Sequence, residues 1–483
     1  MWTKPYGMKE GFLIGGGLLA AGLALELSVG QVKWDAFAWP VNGYVLGGFL
    51  ALIAIAFLLR KKVYAFQFIG TYQAAIPAMV YAVVLTIIMG LTRQKVGGSW
   101  LNDMLSFWPF VLIYVYIAVI LGVIILRRTV NCPLGRRTLA TNGTQELSTV
   151  NLKRDIPFLL NHLGLFLALT TATLGNADMQ RLKMITAIGE PEWRALDANG
   201  AVKEMPLAIE LKRFIMETYD NGSPKRFASE IQILTKTKKN IETVVDVNKP
   251  YEVDGWKIYQ FGYDTQMGAN SQISILELVS DPWLPLVYTG IFMMLAGVLL
   301  LVVYTRWRMK RLLPIGVLLV VALAIVSHLI PVFRSNLVPA LQSPWFYPHI
   351  LVYIVCYSLM GVAAVIAIYG LIRRPLPSYI SPLTSSIVYI GLIFMTFGMM
   401  FGAFWAKEAW GHYWSWDPKE TWAAITWLSY LVYVHYRLLP RHKERLALWM
   451  LIISFALLQM CWWGINYLPS AQGSSVHTYN MSE

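Results

Sequence analysis

Cysteine is scarce in this chain: there are three in 483 residues, and no two are spaced as C-x-x-C. Cys132 stands beside an arginine-rich loop, while Cys356 and Cys461 lie within apolar runs, where a thiol behaves as a small hydrophobe. A framework of external disulfides and a C-x-x-C redox centre are therefore excluded. Charge is sparse as well. Only 14% of residues are charged against 57% hydrophobic, too apolar for a soluble multidomain protein. Acidic residues are the scarcer sign, 27 against 40 basic, for a net charge of +13. The basic residues gather in short clusters between apolar runs, as the positive-inside rule requires of a membrane protein, and nucleic-acid binding is excluded on that ground. No signal-peptide cleavage site follows the first apolar run, which begins after Lys4 and Lys9 and is expected to be a first anchor.

What the chain has in abundance is long apolar runs. A hydrocarbon core of about 30 Å takes roughly 20 residues of helix. That ruler predicts a polytopic α-helical membrane protein with about eleven transmembrane helices, near 11–29, 42–60, 67–91, 107–127, 155–174, 285–305, 313–333, 349–372, 385–405, 421–438 and 446–468. Basic clusters at Arg60 to Lys62, Arg127 to Arg154, Arg306 to Arg311, Arg373-Arg374 and Arg437 to Arg445 fall on alternate sides, with Arg93 and Lys95 opposite them. The expected topology has a cytoplasmic N-terminus and an extracytoplasmic C-terminus. Gly15 to Gly17 and Gly47-Gly48 suit close helix packing.

One long segment, about 175–283, is polar and carries strand and turn signals. Ile231 and Ile233 alternate with polar neighbours, 241–247 is rich in β-branched residues, and Asp254-Gly255 precedes Trp256 to Phe261. Asn221-Gly222 marks another turn after 207–219, a stretch that reads as strand or short helix. This segment is predicted to be a β-rich extracytoplasmic domain.

Trp410-Gly411-His412-Tyr413-Trp414-Ser415-Trp416-Asp417-Pro418-Lys419-Glu420-Thr421-Trp422 places four tryptophans between two apolar spans. An interfacial belt accounts for tryptophan alone. It does not account for Gly411, for the Asp417-Pro418 turn, or for Glu420 placed to cap the next helix. The segment, about 405–422, is expected to be an external loop offering a platform to a flat ligand. It is similar to the tryptophan-rich WWD signature of membrane haem-handling proteins, and most resembles CcsA (ResC) of system II cytochrome c synthesis. It departs from that pattern at Lys407, where asparagine is expected, and at His412, commonly a non-ligand position. The run Val247-Asn248-Lys249-Pro250 to Gly255 and Tyr259-Gln260 resembles CcsB (ResB). The resemblance thus covers about 155–480, a fused CcsB–CcsA chain. Its parts are expected to be N-terminal helices (1–154), a CcsB-like part (155–305) and a CcsA-like part (306–483).

Seven histidines sort by depth. His162 and His435 lie at similar depth near the cytoplasmic ends of the fifth and tenth predicted spans. An intramembrane histidine either bonds a neighbouring helix or marks a site. The shared depth favours a pair of axial haem ligands, one imidazole from each of two packed helices. Lys153, Arg154 and Arg437 then face haem propionates or serve as ordinary anchors. His328 is expected to be a packing residue, and His442 an anchor. Pro348-His349 and the ending Ser475-Val476-His477 are similar to the CcsA segments that supply external ligands, so the resemblance implies His349 and His477 as the outer axial pair. It implies Trp410, Trp414, Trp416 and Trp422 gripping the haem face, Asp417 ordering the loop, and Lys407 or Lys419 near the propionates.

The activity so implied is that of a holocytochrome c synthase. Haem b would be carried outward and joined by thioethers to a C-x-x-C-H apocytochrome c, whose histidine displaces His349 or His477, with thiol-reducing partner proteins, in a multi-pass bacterial plasma (inner) membrane setting. A haem exporter or haem-chaperone loader without ligation activity is the alternative. A transmembrane electron-transfer cytochrome is disfavoured because no apolar span carries two histidines.

Overall fold

In a bilayer every backbone polar group must be satisfied within the segment, so apolar runs of this length close into helices. The computed structural model describes residues 4–95, 97–98, 100–131, 145–309 and 336–471, with side chains described outside 131, 145–154 and 304–309. Six helices precede a sheet: α1 (Met8–Val29), α2 (Val41–Leu59), α3 (Tyr64–Ile69), α4 (Tyr72–Leu91), α5 (Trp108–Asn131) and α6 (Gln145–Gly175). After the sheet come α7 (Leu284–Met309), α8 (Phe346–Ile372), α9 (Ile380–Trp410), α10 (Pro418–Arg437) and α11 (Glu444–Trp462). Among the described residues nine helices are long and apolar enough to cross a membrane. α10 is the tenth of comparable length, less apolar because it opens on Lys419 and Glu420 and closes on His435 and Arg437. The expected span at 313–333, with His328, lies outside the described residues.

Among the boundaries that differ from the sequence reading, two bear on the helices around the loop. The expected span 67–91 is broken at Gly70-Thr71 into α3 and α4. The expected span 385–405 is a 31-residue helix that runs on through Lys407 to Trp410 and stops where Gly411 takes φ 76°. The loop proper is therefore 411–417, shorter than expected, because only a residue tolerating the left-handed region can end the helix there.

The polar segment forms one antiparallel sheet of β1 (Gln180–Ala187), β2 (Pro191–Leu196), β3 (Val202–Thr218), β4 (Pro224–Thr235), β5 (Asn240–Asp246), β6 (Tyr251–Val253), β7 (Trp256–Tyr263) and β8 (Ile273–Ser280). The strand order is β5-β4-β3-β2-β1-β8-β7-β6. The stretch that read as strand or helix is β3. The sheet curls on itself around Met184, Ile209, Leu211, Ile231, Ile258 and Leu276. Its interior also holds a small polar cluster: Ser229 Oγ lies 2.6 Å from both Gln260 Oε1 and Ser274 Oγ, and Gln260 Nε2 donates to Ser274 Oγ at 3.0 Å.

Asp178 joins the sheet to the helices. Its carboxylate accepts from Trp39 N at 2.7 Å, Asn42 Nδ2 at 2.7 Å and Trp283 Nε1 at 2.6 Å, tying the starts of α2 and α7 to the end of α6. α6 and α7 then run together so closely that a Cβ at Gly164 would sit 2.6 Å from Gly290 O. Gly15 meets Tyr81, but Gly47 and Gly48 face open space, correcting their expected packing role: α2 is covered on few sides. α10 packs against α4 and α11, and α4 and α5 pack together, with α5 also against α6. The N-terminal helices thus form the layer between the helix carrying His162 and the helix carrying His435.

Candidate functional site

At the end of the bundle remote from the sheet, α6 presents His162 and α10 presents His435. His162 Nδ1 is 2.8 Å from Phe158 O, and His435 Nδ1 is 2.8 Å from Leu431 O, in each case the carbonyl one helical turn earlier. A carbonyl only accepts, so both Nδ1 atoms carry a proton, and in the neutral ring Nε2 is then the nitrogen with the lone pair. A backbone carbonyl fixing the tautomer in this way is the usual support of a metal-binding imidazole. Phe158 stacks on His162 with centroids 3.9 Å apart, and Tyr72 of α4 meets His435 edge-on at 6.3 Å.

His442 shows the contrast. Its Nδ1 lies 2.8 Å from Leu439 O and its Nε2 2.9 Å from Glu444 Oε1, so both nitrogens are used. Arg437 is tied into the same network, donating to Ser385 Oγ at 3.0 Å and pairing with Glu444. The described structure therefore gives Arg437 an anchoring network. The side chains of Lys153 and Arg154 lie outside the described residues.

His349, in the first turn of α8, lies at the sheet end. Its Nδ1 donates to Gly398 O at 2.8 Å, the same kind of backbone contact as at His162 and His435. The ring packs on α9 so tightly that a Cβ at Gly402 would come 2.8 Å from its Cε1. Tyr353 and Trp405 meet it edge-on at 4.9 and 5.7 Å. Around it stand Trp345, stacked on Phe401 at 5.9 Å, and Phe404. Sequence reasoning passed over these aromatics, though a signal exists: Trp345, His349 and Tyr353 on α8, and Phe397, Phe401 and Trp405 on α9, each recur every four residues along one helical face. His477 lies outside the described residues.

The four loop tryptophans do not share one plane. Trp410 packs on Trp405 at 5.5 Å and so extends the aromatic wall beside His349. Trp414 and Trp416 form an edge-to-face pair at 5.8 Å, and Trp416 reaches Phe110 of α5. Trp422, 2% exposed, is packed under the loop with Ile425, Cys461 and Ile465. Asp417 caps α10: its Oδ1 accepts from Lys419 N at 2.8 Å, and Glu420 Oε2 accepts from Asp417 N at 3.2 Å and from Ser415 N at 2.8 Å. Asp417→Ala is expected to cost about 1 kcal/mol, measured as a lowered unfolding midpoint in detergent. Asp417→Asn, which keeps the cap, should retain most of that stability.

Lys407 does not reach outward. It is 4% exposed, donates from Nζ to Gly411 O at 3.0 Å, and lies 3.7 Å from the buried carboxylate of Asp281 at the end of β8. Burial holds Asp281 above the usual carboxylate range, with the Lys407 charge opposing that shift. Beside this pair, a Cβ on Gly411 would meet Val279 Cγ2 at 2.9 Å and Tyr259 Cε2 at 3.2 Å. The start of the loop is thus docked on β7 and β8.

Two families match the chain: the ResB-like family over residues 152–273 and the family described as cytochrome C assembly protein over 283–471. The relatives it resembles are named cytochrome c biogenesis protein CcsA. That of Chlamydomonas reinhardtii is 36% identical over 156 residues, 30% of this chain and 43% of the relative. That of Prochlorococcus marinus (strain MIT 9312) is 31% identical over 179 residues, 30% of this chain and 57% of the relative. That of Guillardia theta is 26% identical over 263 residues, 46% of this chain and 86% of the relative. The chain therefore spans about half the length of the first two. The sheet falls within the ResB-like match apart from its last strand, and His349, the loop and His435 fall within the other. One polypeptide here carries both halves, and it is a fused ResB–CcsA (CcsB–CcsA) protein of the system II cytochrome c biogenesis type.

Proposed function

We propose that the protein acts in cytochrome c maturation as a holocytochrome c synthase. Haem b is taken up between His162 and His435, passes across the membrane, and is held at the outer site by His349 and His477 beside Trp410, Trp414 and Trp416. There the two thiols of a C-x-x-C-H apocytochrome c add across the haem vinyl groups. Each addition makes one carbon–sulfur bond and moves the thiol proton to the other vinyl carbon, with no net redox change. The apocytochrome histidine replaces His349 or His477 on the iron, and the product leaves. Catalysis is then mainly positioning, which needs no enzyme nucleophile. In this reading the sheet and the loop are extracytoplasmic, the N-terminus is cytoplasmic, the membrane is a bacterial plasma membrane, and separate proteins keep the substrate thiols reduced.

The observation that carries this reading is the shared arrangement of His162, His435 and His349. In all three, Nδ1 lies 2.8 Å from a backbone carbonyl, the contact that in a neutral imidazole makes Nε2 the basic nitrogen. The test is co-expression of the intact chain with a reporter apocytochrome c in a host lacking its own maturation system. Haem that stays on the reporter through denaturing electrophoresis, and is absent when both reporter cysteines are serine, is the expected result. Haem that accumulates outside the cytoplasm without becoming covalent would instead assign the protein to haem export or chaperone loading.

A further inference from the structure

Beside the inner histidines, α5 brings in a charge that the reading above leaves without a role. Arg128 forms an ion pair with Asp155, whose side chain is 6% exposed. The guanidinium lies 5.1 Å from the centre of the Phe158 ring, which itself stacks on His162 at 3.9 Å. A guanidinium has five N–H donors, and one carboxylate takes at most two in bidentate geometry. Among the described residues the buried Nε–H of Arg128 has no acceptor. A buried donor left without an acceptor is costly, and its natural complement is an acceptor that arrives with a ligand. Among the described arginines near these helices, Arg127 donates to Gly70 O, and Arg437 is held by Ser385 and Glu444.

We propose that Arg128, oriented by Asp155, is a positioning residue that receives a carboxylate of the molecule bound between His162 and His435, fixing its rotation about the axis through the two imidazoles. The proposal rests on the haem reading of that site. Two axial ligands define the plane of the macrocycle but not its rotation within that plane; an edge carboxylate held by Arg128 supplies that missing constraint. Asp155 has a second task, since it holds the guanidinium against Phe158 before any ligand arrives.

The experiment compares haemin with haemin dimethyl ester, in which both carboxylates are masked, on the purified full-length protein. Arg128→Gln alone would strand the buried Asp155 charge, so the variant used is Arg128→Gln with Asp155→Asn. Arg128→Lys, which keeps the charge but not the fork, is its companion. The neutral double variant is expected to bind haemin about ten- to a hundredfold more weakly and the ester as the wild type does, with Arg128→Lys in between. Equal weakening for acid and ester, or none for either, overturns the role of Arg128. His162→Ala separates this from the reading beneath it. If that variant loses haemin while the double variant does not distinguish acid from ester, only the Arg128 proposal fails; if it retains haemin unchanged, the inner haem site itself is wrong.

Discussion

Lys407→Met is expected to destabilise the protein by about 3–5 kcal/mol, because it strands the carboxylate of Asp281 in a buried seam. Asp281 is 7% exposed as a side chain, and its Oδ2 accepts no hydrogen bond among the described residues. Lys407 is then the nearest compensation, at 3.7 Å. Adding Asp281→Asn to Lys407→Met should restore most of the loss, since asparagine removes the charge and can still accept from the backbone N–H groups that begin α7. Midpoints of unfolding in detergent for the two single variants and the double would measure the coupling. The penalty should also depend on pH with a definite sign. Burial places the folded-state pKa of Asp281 above its ordinary value, so the fold prefers the protonated acid. The stability contributed by that proton is complete below the unfolded pKa and is lost as pH rises through the folded one. Acidification should therefore relieve Lys407→Met before ordinary surface carboxylates titrate. A single variant as stable as the wild type at neutral pH would mean that the loop and the sheet are not joined through this pair.

His162→Ala and His435→Ala should each lower retained haem by tenfold or more. Loss of a supporting hydrogen bond alone costs 10- to 100-fold at many metal sites, and loss of the ligand should cost at least as much. His442→Ala is the matched control: it lies only seven residues beyond His435, but both of its nitrogens are used by Leu439 and Glu444, so haem content should not change. His349→Ala should leave the inner haem in place and alter the absorption only of haem at the sheet end. By the 1.5 Å rise of a helix, His435 lies about 25 Å along α10 from the loop. The two sites are therefore separate binding events. If all four variants lose haem together, one site or a general folding defect is the better account.

Much of this was legible in the chain because the relevant signals are local. The depth of His162 and His435 follows from counting along apolar runs; that the N-terminal helices pack between the two helices carrying them could not be counted that way. Asp417, Pro418 and Glu420 announced a helix start, and they cap α10. Asn221-Gly222 and Asp254-Gly255 announced hairpins, and Gly222 and Gly255 take φ values of 81° and 82°. What could not be read depends on contacts distant in sequence. Nothing around Lys407 reveals that its partner is Asp281, more than a hundred residues earlier, and an external role near haem propionates was the natural expectation. Four tryptophans in a short stretch suggested one platform, yet Trp422 falls one helical turn inside α10 and faces Gly90, where the next helix covers it. Periodicity places a residue on a face of its own helix, but which neighbour covers that face is decided elsewhere in the chain.

The packing of α10 on α4 also sets an order of manufacture. α4 leaves the ribosome some 350 residues before α10 does, which at roughly 5–20 residues per second is a wait of about 20–70 s. During that interval the face of α4 that will receive Trp422 and Ile425 lacks its final partner. α1 and α5, made within some 60 residues of α4, are its early neighbours and would hold the groove in shape. Assembly of the inner histidine pair is then a late step of biosynthesis, completed only when a nascent helix of the C-terminal part finds a groove built near the beginning of translation.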